Sequence, residues 1–578
     1  MQVSRFYIVF IFSFCSLTAF AQKKYTLKII NTDSKSKIFS KINYRKTHSD
    51  SLKVFNELDN VIVALHSKSY LTASYDSVKQ NGKNIKAYLS IGKSFTWATL
   101  KQGNLSPEII RKVDFKEKIY RNKPFDYQEV SKIETKILDY AENSGYPFAS
   151  ITLKNITTSP NSIEASFHFV PGIKITFDSI GVIGDALINR KFLSNYVQIK
   201  KGEPYSQHKI DNIKPLLQKL NIAIIKREPE IRFINGQAYV YLFLDNKKTT
   251  GIDGIAGLQQ DPLDQDKLLI TGEFNLNLRN IMQSGKQAQL HWKKLSRESS
   301  SLESSYAQPA LFSSPLELNM SFNFLDQDTT YISLNPKIGF KYNLIKYGTI
   351  GFFYESVTTK LLDTSQFRNA TVLPPFSDAK TNSYGVSYEW NNLDNYYLPH
   401  KGLKVEIESA AGNKKINQVL APELYNEIKI NSLQIQGIGK IENHISLHQT
   451  FTFVQRITGA WVNNEKLFLN DLYRLGGINS IRGFREQSFF ASRYLIETAE
   501  LRIFTEEDSY FMLFADYSQY ITEVDNVWEE NYPLGFGGGL SFSTKAGIFN
   551  MVYALGKEKG GQVNFNNSVV NFGLVSRF

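Results

Sequence analysis

Cysteine is almost absent from this sequence: Cys15 is the only one in 578 residues. It lies in an N-terminal stretch with the features of a secretory signal peptide. Arg5 supplies the positive charge, Phe6–Phe14 the apolar core, and Ala19–Ala21 a small-x-small cleavage site. We therefore predict a signal peptide over residues 1–21. The mature chain would then have no disulfide, no metal–thiolate site and no cysteine nucleophile.

Long apolar runs are also missing, because no later segment offers 18 consecutive apolar residues. The sequence therefore predicts no transmembrane helix, although an exported chain can still enter a membrane as a closed β-barrel. The net charge of +12 comes from scattered lysines and arginines rather than a dense basic run, so we expect no nucleic-acid partner. Aromatic residues make up 13% of the chain, which favours strands and membrane interfaces.

The sequence also lacks catalytic and cofactor-binding motifs. His291, His400 and His448 are isolated from one another and lack metal-ligand spacing. The glycine-rich stretch 535–542 lacks the lysine and hydroxyl residue of a phosphate-binding loop, and we assign its glycines to bends or close approach in strands. We predict no enzyme activity, no cofactor and no metal site.

The N-terminal part, residues 23–248, contains a weak internal repeat. Periods near 80 residues indicate small domains in tandem rather than a solenoid of short repeats. The aligned pairs are Tyr70 with Tyr146 and Ala73 with Ala149 at a period of 76, and Pro124 with Pro204 at a period of 80.

Each repeat has a similar order of predicted elements, clearest in the last one. Alternation predicts a strand in 172–184, a short helix follows in 186–197, and three-and-four spacing predicts an amphipathic helix over 208–220. Pro215 predicts a kink or an early break in that helix. Two strands then flank Asn235-Gly236, a strong hairpin signal. The predicted order is β-α-α-β-β, and it is repeated in the middle unit. It is fainter in the first unit, where we predict a helix near Ser51–His66 and strands near Leu71–Val78 and Asn84–Gly92.

These units resemble POTRA domains, the periplasmic modules of outer-membrane assembly and translocation barrels. The stretch GYPFA at Gly145–Ala149, after a long predicted helix, is typical of them. We place the modules at residues 22–94, 95–171 and 172–248. The resemblance implies that they receive client chains by adding a strand to an exposed sheet edge. An alternative is that they act only as spacers.

From residue 251 onward the sequence alternates polar and apolar residues in segments of about ten. This predicts transmembrane β-strands with one face toward lipid, and residues 251–578 suit about sixteen antiparallel strands. A soluble array of β-sandwiches is the alternative. The last strand includes Gly573 and Leu574 and ends on Phe578, which resembles the C-terminal β-signal of outer-membrane proteins.

Four stretches of this region resemble the outer-membrane assembly and translocation barrels represented by BamA and TamA. They are two early hairpins at 275–292 and 306–322, a D-N-x-x-x-P-x-x-G-type hairpin at 391–409, and the loop YRLGGINSIRGF at 473–484. We therefore expect an α+β region of tandem POTRA modules followed by an all-β barrel.

The resemblance places the loop containing Ile481, Arg482, Gly483 and Phe484 inside the barrel, where its arginine meets acidic groups. Strand parity and the resemblance identify candidate partners. If the aliphatic residues of 498–504 face lipid, Glu500 points inward. Asp516 shares a face with Phe514, and this strand resembles the one that supplies the arginine's partner in the assembly barrels. The alternative is that Arg482 lies in the water of an outer loop.

The function that the resemblance implies is folding and insertion of client outer-membrane proteins by a barrel in the outer membrane, with its modules in the periplasm. A client strand would pair at a weak seam formed by the first and last strands. Expected partners are unfolded clients, accessory lipoproteins or periplasmic proteins, and lipid. The seam residues are Gly251, Ile252, Gly254, Ala256 and Leu258.

Two alternatives remain open. A two-partner-secretion translocator would export one protein through the lumen, but such proteins usually carry two modules and an N-terminal plug helix. A passive porin or structural surface barrel would need neither tandem modules nor the IRGF loop.

Overall fold

A computed structural model describes the chain except for residues 1–23, 34–37, 261–267, 295–297, 364, 368–369, 396–397, 507–508, 525–526, 545–546, 564, 566–567 and 578. The predicted signal peptide and Phe578 lie outside the described residues. The chain forms two compact units: one comprises residues up to 175 with 204–206, and the other comprises 176–203 and 207–578. The module bounds predicted from the sequence stay predictions.

The first unit contains two α+β modules. In the first, strand order β2-β1-β4-β3 forms a sheet against one helix, and in the second, order β5-β7-β6 packs on two helices. The first module has one α-helix, at the position that the sequence predicts. The elements are β1 (Tyr25–Asn31), β2 (Thr47–His48), α1 (Ser51–His66), β3 (Ser74–Asn81), β4 (Asn84–Ser90), β5 (Thr96–Lys101), α2 (Pro107–Val113), α3 (Tyr127–Glu142), β6 (Ser150–Ser159) and β7 (Ser162–Val170).

The period of 76 corresponds to a repeated turn after the long helix of each module. The backbone N–H groups of Tyr70 and Tyr146 donate to the carbonyl five residues earlier, at 3.0 and 2.9 Å. Their own carbonyls accept from Ala73 and Ala149, both at 3.1 Å. The same side chains therefore recur because the same backbone turn recurs.

The period of 80 also reflects shared geometry. In the second module the Trp97 N–H donates to the Lys123 carbonyl at 2.7 Å, and in the third the Phe177 N–H donates to the Glu203 carbonyl at 2.8 Å. The aligned prolines directly follow these two carbonyls. Each loop is thus attached to the first strand of its own module.

The second unit begins with the third module, whose sheet has the order β8-β10-β9. The helix predicted over 208–220 is broken, as Pro215 predicts: the break falls at Asn212, and Pro215 lies in the first turn of α6. The first turn has no intrahelical acceptor for its N–H groups, so proline is tolerated there. The elements are β8 (Thr176–Ile183), α4 (Arg190–Tyr196), α5 (Gln207–Asp211), α6 (Ile213–Leu220), β9 (Ala223–Ile234) and β10 (Gln237–Asn246).

The remaining strands form a closed antiparallel barrel and one short ribbon. The strands are β11 (Gly251–Gln260), β12 (Leu268–Ile281), β13 (Lys286–Lys294), β14 (Ser300–Leu311), β15 (Leu316–Gln327), β16 (Tyr331–Asn343), β17 (Thr349–Leu361), β18 (Ala379–Asn391), β19 (Gly402–Ile416), β20 (Asn431–His448), β21 (Phe451–Asn463), β22 (Tyr473–Leu475), β23 (Phe489–Ala491), β24 (Arg493–Glu506), β25 (Ser509–Val524), β26 (Val527–Asn531), β27 (Leu534–Thr544), β28 (Gly547–Lys557) and β29 (Val569–Arg577).

The barrel has sixteen strands, as the sequence predicts. β26 and β27 both pair with β25 and together occupy one position around the wall, while β22 and β23 pair only with each other. Short 3-10 helices lie at Phe39–Lys41, Glu117–Ile119, Ile345–Tyr347, Ser365–Phe367, Pro422–Tyr425 and Leu469–Asp471. Within the described residues, no helix combines the length and apolar character needed to cross a membrane.

Candidate functional site

The site is the long segment between β21 and β24, which folds into the barrel interior. The IRGF stretch, residues 481–484, lies between the two strands of its short ribbon, β22 and β23, and packs against the inner wall. Ile481 is fully buried, and Arg482 and Phe484 are only 7% and 8% exposed. Ile481 and Phe484 pack with Ile496 of β24 and Tyr520 of β25. An arginine in this position must find partners, because burying an unpaired charge is costly.

Arg482 binds both acidic residues that the sequence analysis singled out. Its Nε and Nη2 donate to the two carboxylate oxygens of Asp516, each at 2.7 Å, and Nη1 donates to Glu500 Oε2 at 3.0 Å. Its backbone N–H adds a further bond to Asp516 Oδ2 at 3.1 Å. The guanidinium carbon lies 3.6 Å from the centre of the Phe514 ring. A planar guanidinium can make this bidentate and stacked arrangement, whereas a lysine ammonium cannot.

The two carboxylates differ in how many cations surround them. Glu500 also accepts from Arg502 Nε at 2.6 Å and lies 3.6 Å from Arg456 Nη2. Asp516 accepts from the Thr498 hydroxyl at 2.8 Å, and Arg482 is its only cationic partner among the described side chains. Loss of Arg482 would therefore leave Asp516 as an uncompensated buried charge, while Glu500 would keep two arginines.

Glycines on the barrel wall let the loop backbone approach closely. Gly483 has a φ of +88°, a left-handed conformation that favours glycine. A Cβ atom on Gly535 of β27 would overlap the Arg482 carbonyl, and one on Gly556 of β28 would approach the Gly483 carbonyl to 2.5 Å. The stretch 535–542, assigned from sequence to bends or close approach, therefore includes the position where the loop lies against the wall.

Further polar contacts hold the rest of the loop, and the sequence did not predict the following two. Arg474 of β22 donates to Gln327 Oε1 at 2.5 Å and to the Tyr331 hydroxyl, across the lumen from its own strand. Lys414 of β19 is fully buried and pairs with Asp471 of the loop. Strand parity shows that such side chains point inward, but it does not say which loop residue each one meets.

The predicted seam is closed in this structure. β11 and β29 pair in continuous antiparallel register over eight residue pairs, from Gly251 with Arg577 to Leu258 with Val570. The neighbouring ladders are similar in length, with seven pairs between β28 and β29 and ten between β11 and β12. The weak pairing that the sequence analysis expected is therefore not visible as a shortened ladder.

The predicted seam and C-terminal residues meet at this junction. Ile252 pairs with Ser576, Gly254 with Leu574, Ile255 with Gly573, and Ala256 with Phe572. Ile252 and Leu574 are 38% and 44% exposed on the outer face.

The third module contacts turns at one end of the barrel, the end where β11 begins and β29 ends. The Asn189 N–H donates to the Gln283 carbonyl at 2.8 Å, and Asn280 Nδ2 donates to the Leu187 carbonyl at 2.8 Å. Gln198 Nε2 reaches the Ser313 carbonyl in the next turn at 3.4 Å. Both turns belong to the early hairpins singled out in the sequence, so those motifs carry contacts to the module.

No metal-binding group is apparent at this site. Among the described residues, no cluster of three or more histidine, cysteine, aspartate or glutamate side chains could hold a metal ion. The buried acids instead face arginine and lysine.

Comparison with known proteins relates this architecture to one superfamily. The Omp85 superfamily domain matches residues 280–578, and no curated protein matches the sequence. CdiB from Acinetobacter baumannii is a similar solved structure, at 13% identity and a TM-score of 0.57, covering 91% of this chain and 97% of that one. CdiB from Escherichia coli gives 13% identity, a TM-score of 0.53 and the same coverage.

BamA from Haemophilus ducreyi lacking POTRA domains 1–3 gives 15% identity and a TM-score of 0.43, covering 84% of this chain and all of the other. With a family match over more than half of its length and a closed sixteen-stranded barrel, this chain belongs to the Omp85 superfamily of outer-membrane barrels.

Proposed function

We propose that this protein is an outer-membrane assembly factor that receives unfolded client chains and helps them fold and insert as β-barrels. One observation carries the proposal: the buried loop is fixed across the lumen by Arg482, Arg474 and Asp471. With the lumen occupied by an anchored loop, the β11–β29 seam becomes the favoured place for a client strand to enter.

In this proposal the three modules lie in the periplasm and offer sheet edges to clients. β3, β6 and β9 are each the last strand in their sheet, and each has one side without a neighbouring strand in that sheet. An extended client segment can add there through main-chain hydrogen bonds. Accessory lipoproteins or periplasmic proteins could use the same edges.

At the seam, a client strand would pair with β11 and replace β29. This exchange keeps backbone groups paired inside the membrane, where an unsatisfied N–H or carbonyl would cost several kcal/mol. The C-terminal residues Gly573 and Leu574 occupy the position that the client strand would take.

The experiment that tests the proposed function is depletion of the protein followed by quantitative proteomics of the outer membrane. Broad loss of β-barrel proteins is the expected result. Loss of a single exported protein would instead support a two-partner-secretion translocator. An unchanged outer membrane together with a stable pore conductance would support a passive porin.

A covalent lock tests the proposed entry site. Since the only native cysteine is Cys15, paired cysteines can be placed at Ile252 and Ser576, which lie opposite each other across the seam. Oxidation should stop client assembly, and reduction should restore it. The matched control places cysteines at Val405 and Ile441, an opposed pair on β19 and β20. Client assembly that continues with the seam locked would contradict entry at the seam.

A further inference from the structure

A second charged contact joins the buried loop to the opposite side of the seam. Glu486, four residues after Arg482, places its Oε2 atom 2.8 Å from the ammonium of Lys293 on β13. The same ammonium lies 2.6 Å from Glu273 Oε1 on β12. Glu273 and Lys293 are directly opposite in the β12–β13 register. One lysine is therefore shared between an acid of the wall and an acid of the loop.

The contact is built into the loop and is largely shielded from water. The side chains of Lys293, Glu486 and Glu273 are 10%, 12% and 7% exposed. The other oxygen of Glu486 accepts from the Ile478 N–H at 3.0 Å, which folds the loop back on itself. Asn479 Nδ2 lies 3.5 Å from Glu273 Oε1. We call Glu486, Asn479, Lys293 and Glu273 the seam brace.

The seam brace and the Arg482 cluster lie on different sides of the seam. Around the barrel, β12 and β13 follow β11, whereas β27 and β28 precede β29. The loop contacts the first pair through the seam brace. It contacts the second pair through the close approach at Gly535 and Gly556, next to the carboxylates on β24 and β25. The loop thus spans the inside of the seam and is tied on both sides.

The two attachments differ in strength. Arg482 makes four hydrogen bonds to two carboxylates and stacks on an aromatic ring. The seam brace depends on one ammonium between two carboxylates and one long amide contact. Among the side chains that the structure describes, Lys293 alone holds Glu486 to the β11 side of the seam. When β11 separates from β29, this weaker contact can break while Arg482 stays bound to β24 and β25.

We propose that the seam brace controls how readily the seam opens, with Glu486 and Lys293 as positioning residues for client entry. The proposal rests on the proposed function, since it takes the seam as the entry site. Weakening the brace frees the β11 side of the wall from the loop, so the seam opens more often. Strengthening it keeps the barrel closed.

Hydrogen exchange of the β11 and β29 backbone amides, measured by mass spectrometry on the full-length protein in nanodiscs, reports seam opening without any client. In Glu486→Gln we expect the 251–258 amides to exchange about tenfold faster, because a largely buried ion pair has lost one partner. Lys293→Met should have a larger effect, since, within the described part of the chain, it leaves Glu486 without a cation and leaves Glu273 with only His291, whose Nε2 lies 3.4 Å away. Amides of β19 and β20 should be unchanged in both variants.

The matched control is Glu465→Gln. Glu465 lies in the same long loop and also pairs with a lysine, Lys429, but both side chains are more than half exposed. Its removal should leave exchange at the seam unchanged. Exchange at residues 251–258 that stays at the wild-type rate in folded Glu486→Gln protein would overturn the proposal.

A double variant with exchanged charges distinguishes loss of the ion pair from general loss of structure. Glu486→Lys combined with Lys293→Glu again places one ammonium between two carboxylates, so slow exchange should return. If hydrogen exchange at residues 251–258 is as fast in the double variant as in Lys293→Met, the ion pair does not control opening of the seam and the proposal fails. None of these measurements uses a client, so their outcome is separate from that of the depletion experiment.

Discussion

The modules and the barrel place polar and apolar side chains in opposite positions. In the second module Trp97, Leu100 and Ile137 are almost fully buried, while the ion pair of Lys116 and Asp114 is exposed. In the barrel the side chain of Val386 is 60% exposed, while Arg482 and its carboxylates are buried. In both regions the strands alternate polar and apolar residues. The apolar face is buried inside the modules, but it lies on the outer surface of the barrel.

The surroundings of each region explain the reversal. A module in water stabilises its fold by burying apolar area, and its charges remain solvated at low cost. A barrel in lipid gains nothing by hiding apolar side chains from its surroundings, and its polar side chains fill the interior. Each interior charge then needs a partner, since an unpaired one is costly to bury. This makes the interior ion pairs of the barrel far more sensitive to substitution than those of the modules.

The largest expected effect is at Arg482. Arg482→Met should lower the free energy of unfolding of the barrel by about 3–5 kcal/mol, because Asp516 would be left buried without a cation. Urea titration of the protein refolded in lipid vesicles measures this change. Adding Asp516→Asn should recover part of the loss. Arg493→Met is the control, since Arg493 pairs with Glu523 and both side chains are about half exposed.

A matched pair of valines tests the reversal directly. Val63 on α1 and Val386 near the middle of β18 are 64% and 60% exposed. Val386→Arg should destabilise the barrel by about 2–4 kcal/mol, because it places a charge on the lipid face. Val63→Arg should change module stability by less than about 0.5 kcal/mol, since that site faces water. Urea unfolding measures both, and equal effects would contradict the opposite polarity of the two regions.

A smaller effect is expected where the loop lies against the wall. Gly535→Ala should destabilise the barrel by about 1–3 kcal/mol, because the added methyl group overlaps the Arg482 carbonyl and the loop must move. Limited proteolysis within 476–488 should become faster. Gly439→Ala on β20 is the control, as its added methyl group meets no atom within 4 Å. Unchanged proteolysis in Gly535→Ala would show that close backbone approach is not required.

The smallest effect is expected at the surface of a module. Lys116→Ala removes an ion pair whose side chains are 63% and 80% exposed, so the loss should be below about 1 kcal/mol. Thermal unfolding of the full chain with a fluorescence probe on the second module measures it. A loss as large as that of Arg482→Met would remove the distinction between surface and interior ion pairs.

Local patterns in the sequence predict much of this molecule. The spacing of apolar residues near Ser51–His66 predicts helix α1 with its observed bounds, and alternation predicts the sixteen strands. Parity points Glu500 inward, because the other face of its strand is aliphatic. The strand of Asp516 is apolar on both faces, so the resemblance to the assembly barrels was needed to orient it. The other features depend on residues a few positions apart, where the chain geometry is nearly fixed.

Contacts that depend on register between distant strands were not predictable in the same way. Glu486 meets Lys293 only after thirteen further strands have closed the wall, and no local pattern connects the two. Pro215 predicts a break in the 208–220 helix, but the sequence does not fix its position at Asn212, because a proline is compatible with any place in the first turn of the helix that follows. The seam likewise joins the first and last strands of the barrel, β11 and β29, which lie far apart in the sequence, so no local pattern shows their pairing.

The glycines beneath the loop have a consequence for the order of assembly. Glu500, Asp516, Gly535 and Gly556 all come after Arg482 in the chain, so the loop cannot settle until the strands that follow it have formed. In a chain synthesised from its N-terminus, these are the last strands to emerge. We expect a form truncated before Leu534 to leave residues 476–484 open to protease, whereas the full chain protects them. Arg482 would then bind Glu500 and Asp516 only at the end of biogenesis, when the barrel wall around it is complete.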